Sequence, residues 1–159
     1  MATITASLNV TSDISSYGLN INKTMTMSKA GATTGLNRTS GVQRVYLSNL
    51  NHVDLIKGGL ANTPVADMTL SASAKVYIKY LEDDTTKYVR IGMGNADTGT
   101  TQTANNGDGT FFELGRLYGN EWMIIPWNGA SNVGDITVHP SVATAADKAI
   151  VEYIVFFED

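Results

Sequence analysis

The sequence predicts an all-β fold of antiparallel strands arranged as a sandwich, and three observations support this prediction. Almost every apolar stretch alternates with polar residues at a period of two, the pattern of a half-buried β-strand. The segments between these stretches are rich in Thr, Asn and Gly. Charged residues make up only 16% of the chain, so uncharged polar residues must cover its surface. At 159 residues, we expect one domain over 1–159, with 1–41 as an extended arm plus the first strands.

Composition excludes several function classes. The formal net charge is −4 and the cations are scattered, whereas binding to a phosphate backbone needs clustered Lys and Arg. The chain has no cysteine, hence no disulfide, thiolate metal ligand or cysteine nucleophile. Its start lacks the basic and apolar regions of a secretory signal, and no apolar run approaches the ~20 residues of a membrane span. We therefore expect cytoplasmic synthesis without a signal peptide, and neither nucleic acid nor membrane as a partner.

The N-terminal region predicts two strands and an arm. Residues 3–10 alternate almost without exception, and residues 19–27 continue the pattern except at Lys23, which interrupts the apolar face. An inward-pointing lysine commonly guards an edge strand. Residues 28–41 have no periodicity and three glycines, so we expect an exposed loop or extended arm with an intermolecular role.

The middle of the chain predicts a strand over residues 42–50 and a well-patterned β-hairpin over residues 74–93. Residues 52–59 are ambiguous, with a helical turn as one interpretation. In the hairpin, acidic turn residues separate two apolar-alternating runs. A register that sets Ile78 opposite Val89 puts the apolar side chains of both strands on one face, so we expect the two strands to be neighbours in one sheet.

Residues 94–110 form the longest segment without periodicity, and loops of this length are usually functional or disordered. Asp97, Asn106 and Asp108 contribute to an oxygen-rich composition typical of calcium loops, but the spacing and final Glu of an EF-hand are missing. We therefore expect a solvated contact loop without a metal.

The last third of the chain is the richest in aromatic residues and predicts four strands, which begin near Phe111, Glu121, Asp135 and Ile150. Pro126 cannot donate to a ladder and therefore belongs at an edge, a strand end or a bulge. The final strand is apolar on both faces, with Glu152 as its only polar residue through Phe157. Such a strand is either central between two covering layers or buried by a neighbouring subunit.

The residues that usually carry catalysis lack a supporting context. His52 and His139 lie far apart without the spacing of a metal site, and we expect both at the surface or in turns. Asp83 and Asp84 lie together in a turn open to water, which gives no reason for a raised pKa. No Gly-x-Ser-x-Gly elbow is present. We therefore expect no enzymatic activity, no cofactor and no metal.

Four segments in the last third carry a resemblance, namely Leu117–Glu121, Ile125–Trp127, Asp135–Val138 and Val151–Phe156. They are similar to the closing strands of small virion proteins of tailed bacteriophages. The resemblance implies a jelly-roll-like β-sandwich that serves as a capsid decoration or cement protein, or as a tail or fibre component. It implies a location on the capsid surface of a virion after synthesis in the host cytoplasm. No binding residue is transferred, because the matched positions mark the fold only.

An assembly role predicts contacts that are distributed over arms and strand faces. Its partners would be the major capsid protein and copies of the chain itself, with a homotrimer as the expected form. The candidate interface residues are Lys23, Met25, Met27, Leu36, Arg38, Asp97, Asn106, Asp108, Trp127, Phe156 and Phe157.

The alternative is a carbohydrate-binding or tail-fibre receptor-binding module, because β-sandwiches often present aromatic platforms to glycans. Its candidate residues are Trp122, Trp127, Tyr118 and Asn128. The alternation sets Trp127 with Met123, which favours a core or interface position for at least one of the two tryptophans.

Overall fold

The computed structural model describes residues 4–12, 19–27, 36, 38–47, 53–56, 74–93, 112–129, 135–141 and 149–157. Within these ranges the regular structure is entirely β-strand and every strand pair is antiparallel, which confirms the all-β prediction. None of the described residues belong to a helix with the length and apolar character that a bilayer span requires. The strands are β1 Ile4–Ser12, β2 Leu19–Met27, β3 Arg38–Thr39, β4 Gln43–Leu47, β5 Val53–Ile56, β6 Ala74–Tyr80, β7 Tyr88–Met93, β8 Phe112–Tyr118, β9 Trp122–Trp127, β10 Ile136–Pro140 and β11 Ala149–Phe157.

The strands form two sheets and a separate hairpin. The first sheet, here called the large sheet, has the order β3-β11-β6-β9, and β4 pairs with β11 as well. The small sheet has the order β5-β10-β7-β8. β1 and β2 pair with each other to form a two-stranded sheet, here called the N-terminal hairpin.

The two sheets share one hydrophobic core. In β6 and in β11, buried side chains alternate strictly with half-buried ones, so each strand turns one face inward. The inward side chains meet those of β5, β7 and β10 in a single cluster. Burial of each large aliphatic side chain stabilises the fold by about 1.5–3 kcal/mol. The fully buried large side chains of this cluster are Tyr80, Phe157, Leu47, Ile56, Ile78, Ile91, Ile136, Val76, Val89 and Val138.

The final strand is central, as the first of the two interpretations predicts. β11 lies between β6 on one side and β3 and β4 on the other. Its inner face belongs to the core, whereas Ile150, Ile154 and Phe156 on the outer face are half-buried. Ile154 and Phe156 line a groove under the N-terminal hairpin, so a second layer partly covers this face.

The prediction that residues 74–93 form a hairpin of neighbouring strands is wrong. β6 pairs with β11 and β9 in the large sheet, while β7 pairs with β10 and β8 in the small sheet. Ile78 and Val89 are both fully buried, as the register required, but they belong to opposite sheets of the core. A period of two fixes which face of a strand is buried and leaves its neighbour undetermined.

The segment between β6 and β7 therefore crosses from one sheet to the other. Its turn is held by the exposed Asp84 carboxylate, which accepts hydrogen bonds from the Thr86 hydroxyl at 2.6 Å and the Thr86 amide at 2.9 Å. These bonds, aided by the charge of Lys87, hold the pKa of Asp84 below its usual range. Asp84 thus acts as the turn former that the sequence predicts.

Two further expectations have clear outcomes. Residues 53–56 of the ambiguous segment form strand β5 and not a helical turn. Pro126 lies in β9, which pairs only with β6 among the strands described, and its side chain is exposed. Of the three positions that the sequence allowed for Pro126, an edge, a strand end or a bulge, the described strands show an edge.

Candidate functional site

The N-terminal hairpin has one apolar and one polar face. Its register sets Ile4 opposite Met27, Ala6 opposite Met25, Leu8 opposite Lys23 and Val10 opposite Ile21. These side chains share a face because residues two apart along a strand point the same way. A two-stranded hairpin alone is marginally stable in water, so it requires another surface against its apolar face.

The outer face of the large sheet provides that surface. A groove of about 390 Å³ lies between the two, within the usual range of ligand pockets. The hairpin contributes Ile4, Thr5, Ala6, Ser7 and Met27, and the sheet contributes Tyr77, Trp122, Ile124, Glu152, Ile154 and Phe156. The hairpin thus faces the sheet across an apolar, aromatic-lined groove.

Two aromatic rings and one ion pair shape the sheet side of this groove. The ring centroids of Tyr77 and Trp122 are 6.1 Å apart with an interplanar angle of 37°. Burial, and secondarily the charge of Glu152, raises the pKa of Tyr77 above its usual range. The Glu152 carboxylate accepts a hydrogen bond of 2.9 Å from the Arg44 guanidinium, which balances its charge.

A second groove, also of about 390 Å³, continues along the hairpin. It is lined by Leu8, Lys23 and Met25 of the hairpin, and its sheet side is formed by Trp122 and Ile124 of β9. The exposed fractions are 46% for Leu8, 49% for Met25 and 50% for Trp122. These side chains form a continuous apolar surface open to solvent, which we call the hairpin–β9 surface.

Four of the candidate interface residues line these grooves, and one of them, Met27, is almost fully buried at the first groove. Lys23 and Met25 are exposed on the hairpin and line the second groove, while Phe156 is half-buried and lines the first. Arg38 is half-buried in β3, opposite Phe157 of β11.

Four candidates, Met27 among them, have their side chains inside the chain. Met27, Leu36, Trp127 and Phe157 are each at most 2% exposed. The Leu36 amide donates a 2.9 Å hydrogen bond to the Met27 carbonyl, which fastens the base of the hairpin to the segment leading into β3. These four residues stabilise the subunit itself and offer no side-chain surface to a partner.

The remaining candidates, Asp97, Asn106 and Asp108, lie outside the described residues. Among the residues that are described, no group of three or more His, Asp or Glu side chains could hold a metal ion.

The groove contains residues that were not among the predicted interface positions, above all Tyr77, Ile124 and Ile154. The available signal was the apolar outer face of β11, where Ile154 precedes Phe156 by two residues. Tyr77 and Ile124 could not be assigned to the same surface, because that requires the pairing of β6 with β9, in which they stand opposite each other.

The outer face of the small sheet carries a polar network. The Arg90 guanidinium donates to His139 Nδ1 at 3.0 Å and lies 3.7 Å from the Glu113 carboxylate. Glu113 also accepts a hydrogen bond of 3.0 Å from Arg116, whose guanidinium lies 4.8 Å from the ring centroid of Tyr88. Such partly exposed ion pairs contribute about 0–1 kcal/mol each.

His139 contradicts its prediction. It was expected at the surface or in a turn, but it lies in β10 with only 3% of its surface exposed. β10 is buried on both faces, and the Arg90 guanidinium donates a hydrogen bond to Nδ1 of the buried imidazole. Alternation could not reveal this, because Thr137 and His139 alternate with the apolar Ile136 and Val138 and therefore look like solvent-facing residues.

Fold and groove together define an all-β antiparallel protein with two sheets around one core and a hairpin over one outer face. No known protein-family model matches the chain, and no curated protein matches it either.

Proposed function

We propose that the chain is a non-enzymatic structural protein of a virus particle, most specifically a capsid decoration or cement protein. It would bind the major capsid protein and copies of itself, as a homotrimer on the capsid surface. The observation that carries this proposal is the strand order of the two sheets.

Strands β4 to β11 fill two sheets in the orders β4-β11-β6-β9 and β5-β10-β7-β8. The first of these eight strands pairs with the last, and the second with the last but one. Eight strands in two antiparallel sheets are the composition of a jelly roll, a fold used by viral capsid proteins and by lectins. We therefore infer a jelly-roll sandwich, preceded by the N-terminal hairpin and β3.

A fold hosts many functions, so the surface must support the choice between them. The exposed large apolar residues lie on the hairpin, β4, β8 and β9, and those of the hairpin and β9 are brought together along the second groove. Contiguous exposed apolar surface of this kind marks protein–protein contact. It suits a subunit that binds several neighbours, as a decoration protein does.

The copy number of the chain in virions tests this proposal. We expect quantitative mass spectrometry of gradient-purified virions from the source culture to detect the chain at a number comparable to that of the major capsid protein. A few copies per virion would instead indicate a tail or fibre component. Complete absence from virions that contain the major capsid protein would reject the virion assignment.

A second candidate, a carbohydrate- or receptor-binding module, is favoured by one observation. Trp122 is half exposed and its ring lies 6.1 Å from that of Tyr77, an arrangement that could stack against a sugar ring. Trp127 cannot take this role, because it is 2% exposed and belongs to the core.

We expect acrylamide quenching of tryptophan fluorescence to separate an accessible component, Trp122, from a protected one, Trp127. The accessible component should disappear in Trp122→Phe, and this variant serves as the control for the assignment. Protection of Trp122 by one class of glycan in an array-guided titration would favour the sugar module. If Trp122 becomes better protected from acrylamide as the protein concentration rises, and no glycan changes this protection, the result would favour assembly.

A further inference from the structure

On the outer face of the small sheet, one hydrogen bond fixes the protonation state of a buried histidine. His139 of β10 stands opposite Arg90 of β7 and is 3% exposed. Its Nδ1 atom lies 3.0 Å from the Arg90 guanidinium. A guanidinium has only donors and is not deprotonated in proteins. Nδ1 is therefore the acceptor, so the imidazole is neutral and its proton lies on Nε2.

A protonated imidazole cannot keep this contact. In the charged ring both nitrogens carry a proton, so Nδ1 would direct a donor at the Arg90 guanidinium, which offers no acceptor. The two side chains would also be like charges at a position where His139 is buried and the Arg90 side chain is only 16% exposed. Repulsion between charges is stronger where water is excluded. The hydrogen bond from Arg90 thus requires a neutral His139.

The carboxylates near this pair act on other groups. Glu113 of β8 lies 3.7 Å from the Arg90 guanidinium and therefore favours the charge of Arg90. Asp54 of β5 accepts a 3.1 Å hydrogen bond from the Thr137 hydroxyl. Asp135 precedes His139 by four residues, roughly 13 Å along an extended strand. In the part of the chain that the structure describes, the charged and titratable residues on or beside this face are Asp54, Tyr88, Arg90, Glu113, Arg116, Tyr118, Asp135 and His139.

The Arg90 side chain contacts two strands at once. Its Nη2 atom donates to His139 of β10, and its Nη1 atom faces the Glu113 carboxylate of β8. When His139 takes up a proton, the ion pair with Glu113 can remain, whereas the bond to His139 is lost. The side-chain tie between β7 and β10 is therefore the one that depends on the protonation of His139.

This tie lies at the centre of the small sheet, where β10 stands between β5 and β7. It is next to the end of the β10–β7 ladder, where the Ser141 amide donates to the Tyr88 carbonyl at 2.8 Å and the Ser141 hydroxyl accepts from the Tyr88 amide at 3.0 Å. We propose that His139 and Arg90 form an acid-sensitive latch, which ties β10 to β7 at neutral pH and opens when His139 takes up a proton. This inference goes beyond the proposed function and is compatible with both candidate functions.

Urea unfolding at a series of pH values tests the latch. An imidazole in an unfolded chain takes up a proton at about pH 6.5, whereas the closed latch excludes this proton. We therefore expect the unfolding equilibrium constant to rise by up to about tenfold for each pH unit below this value. His52, the other histidine of the chain, is replaced by Gln in every sample, so that His139 is the only histidine left. The matched control adds His139→Gln, whose side-chain carbonyl can accept from Arg90 but does not titrate, and should lack this rise.

The same pH dependence in both proteins would reject the latch. If the control does not fold, nitrogen NMR of the imidazole in the His52→Gln protein decides, together with hydrogen exchange of the β10 amides. We expect the Nε2–H form of His139 at pH 7, and we expect protonation at lower pH to coincide with faster exchange of these amides. An Nδ1–H form at pH 7 would overturn the proposal. A charged His139 in a protein whose β10 amides stay as protected as at pH 7 would do the same.

Discussion

Replacing Phe157 by alanine should lower the free energy of unfolding by about 3–5 kcal/mol, because the ring is 1% exposed and belongs to the shared core. Whole domains have about 5–15 kcal/mol of stability, so this loss removes a large part of the total. Urea or thermal unfolding of the purified variant measures it. Phe157→Leu keeps most of the buried volume and gives a folded comparison if the alanine variant does not accumulate.

The neighbouring Phe156 provides the matched control. It occupies the outer face of the same strand and lines the groove under the hairpin, where it is half-buried. Phe156→Ala should therefore cost clearly less than Phe157→Ala, and Phe156→Ser should weaken oligomerisation or particle binding through a looser hairpin. Equal losses of stability at the two positions would contradict the assignment of inner and outer faces to β11.

This pair also shows how far the sequence predicts the fold. The alternation in residues 150–157 correctly predicted a strand with two apolar faces. Sequence could not decide which face belongs to the core, because both are apolar and the choice depends on which layer covers each. The same limit explains why Phe156 and Phe157 were predicted together as interface residues, although only Phe156 lies at the groove.

Strand neighbours were the least predictable feature. The buried faces of β6 and β7 were predicted correctly, but Ile78 and Val89 lie in different sheets. Pairing within one sheet and packing across a sandwich place the same residues inward, so the pattern is identical for both. For the same reason the candidate groove could not be predicted from the sequence. Tyr77, Trp122 and Phe156 come from three strands, and these residues share a surface only because of how the strands pair.

The segment that crosses from β6 to β7 lies close to one glycine of a second turn. Gly119, in the turn from β8 to β9, packs against the crossing segment between β6 and β7. A Cβ atom at this position would lie 2.5 Å from the Glu82 carbonyl oxygen and 2.8 Å from the Asp84 carbonyl oxygen. Both contacts are with backbone atoms, which cannot rotate away as a side chain can.

Gly119→Ala should therefore force the two crossing turns apart, and overpacking of this kind costs about 1–3 kcal/mol. The adjacent hydrogen bonds between Tyr80 and the β8–β9 turn, both 3.1 Å long, would be strained in the same movement. For a chain of this length the loss corresponds to a decrease in Tm of roughly 2–12 °C. Gly115→Ala is the matched control, because a Cβ there meets nothing within 4 Å, and we expect a change within about 0.5 kcal/mol. If the two variants melt at the same temperature, the close approach of the crossing turns does not exist in solution, and the path from β6 to β7 between the sheets would need revision.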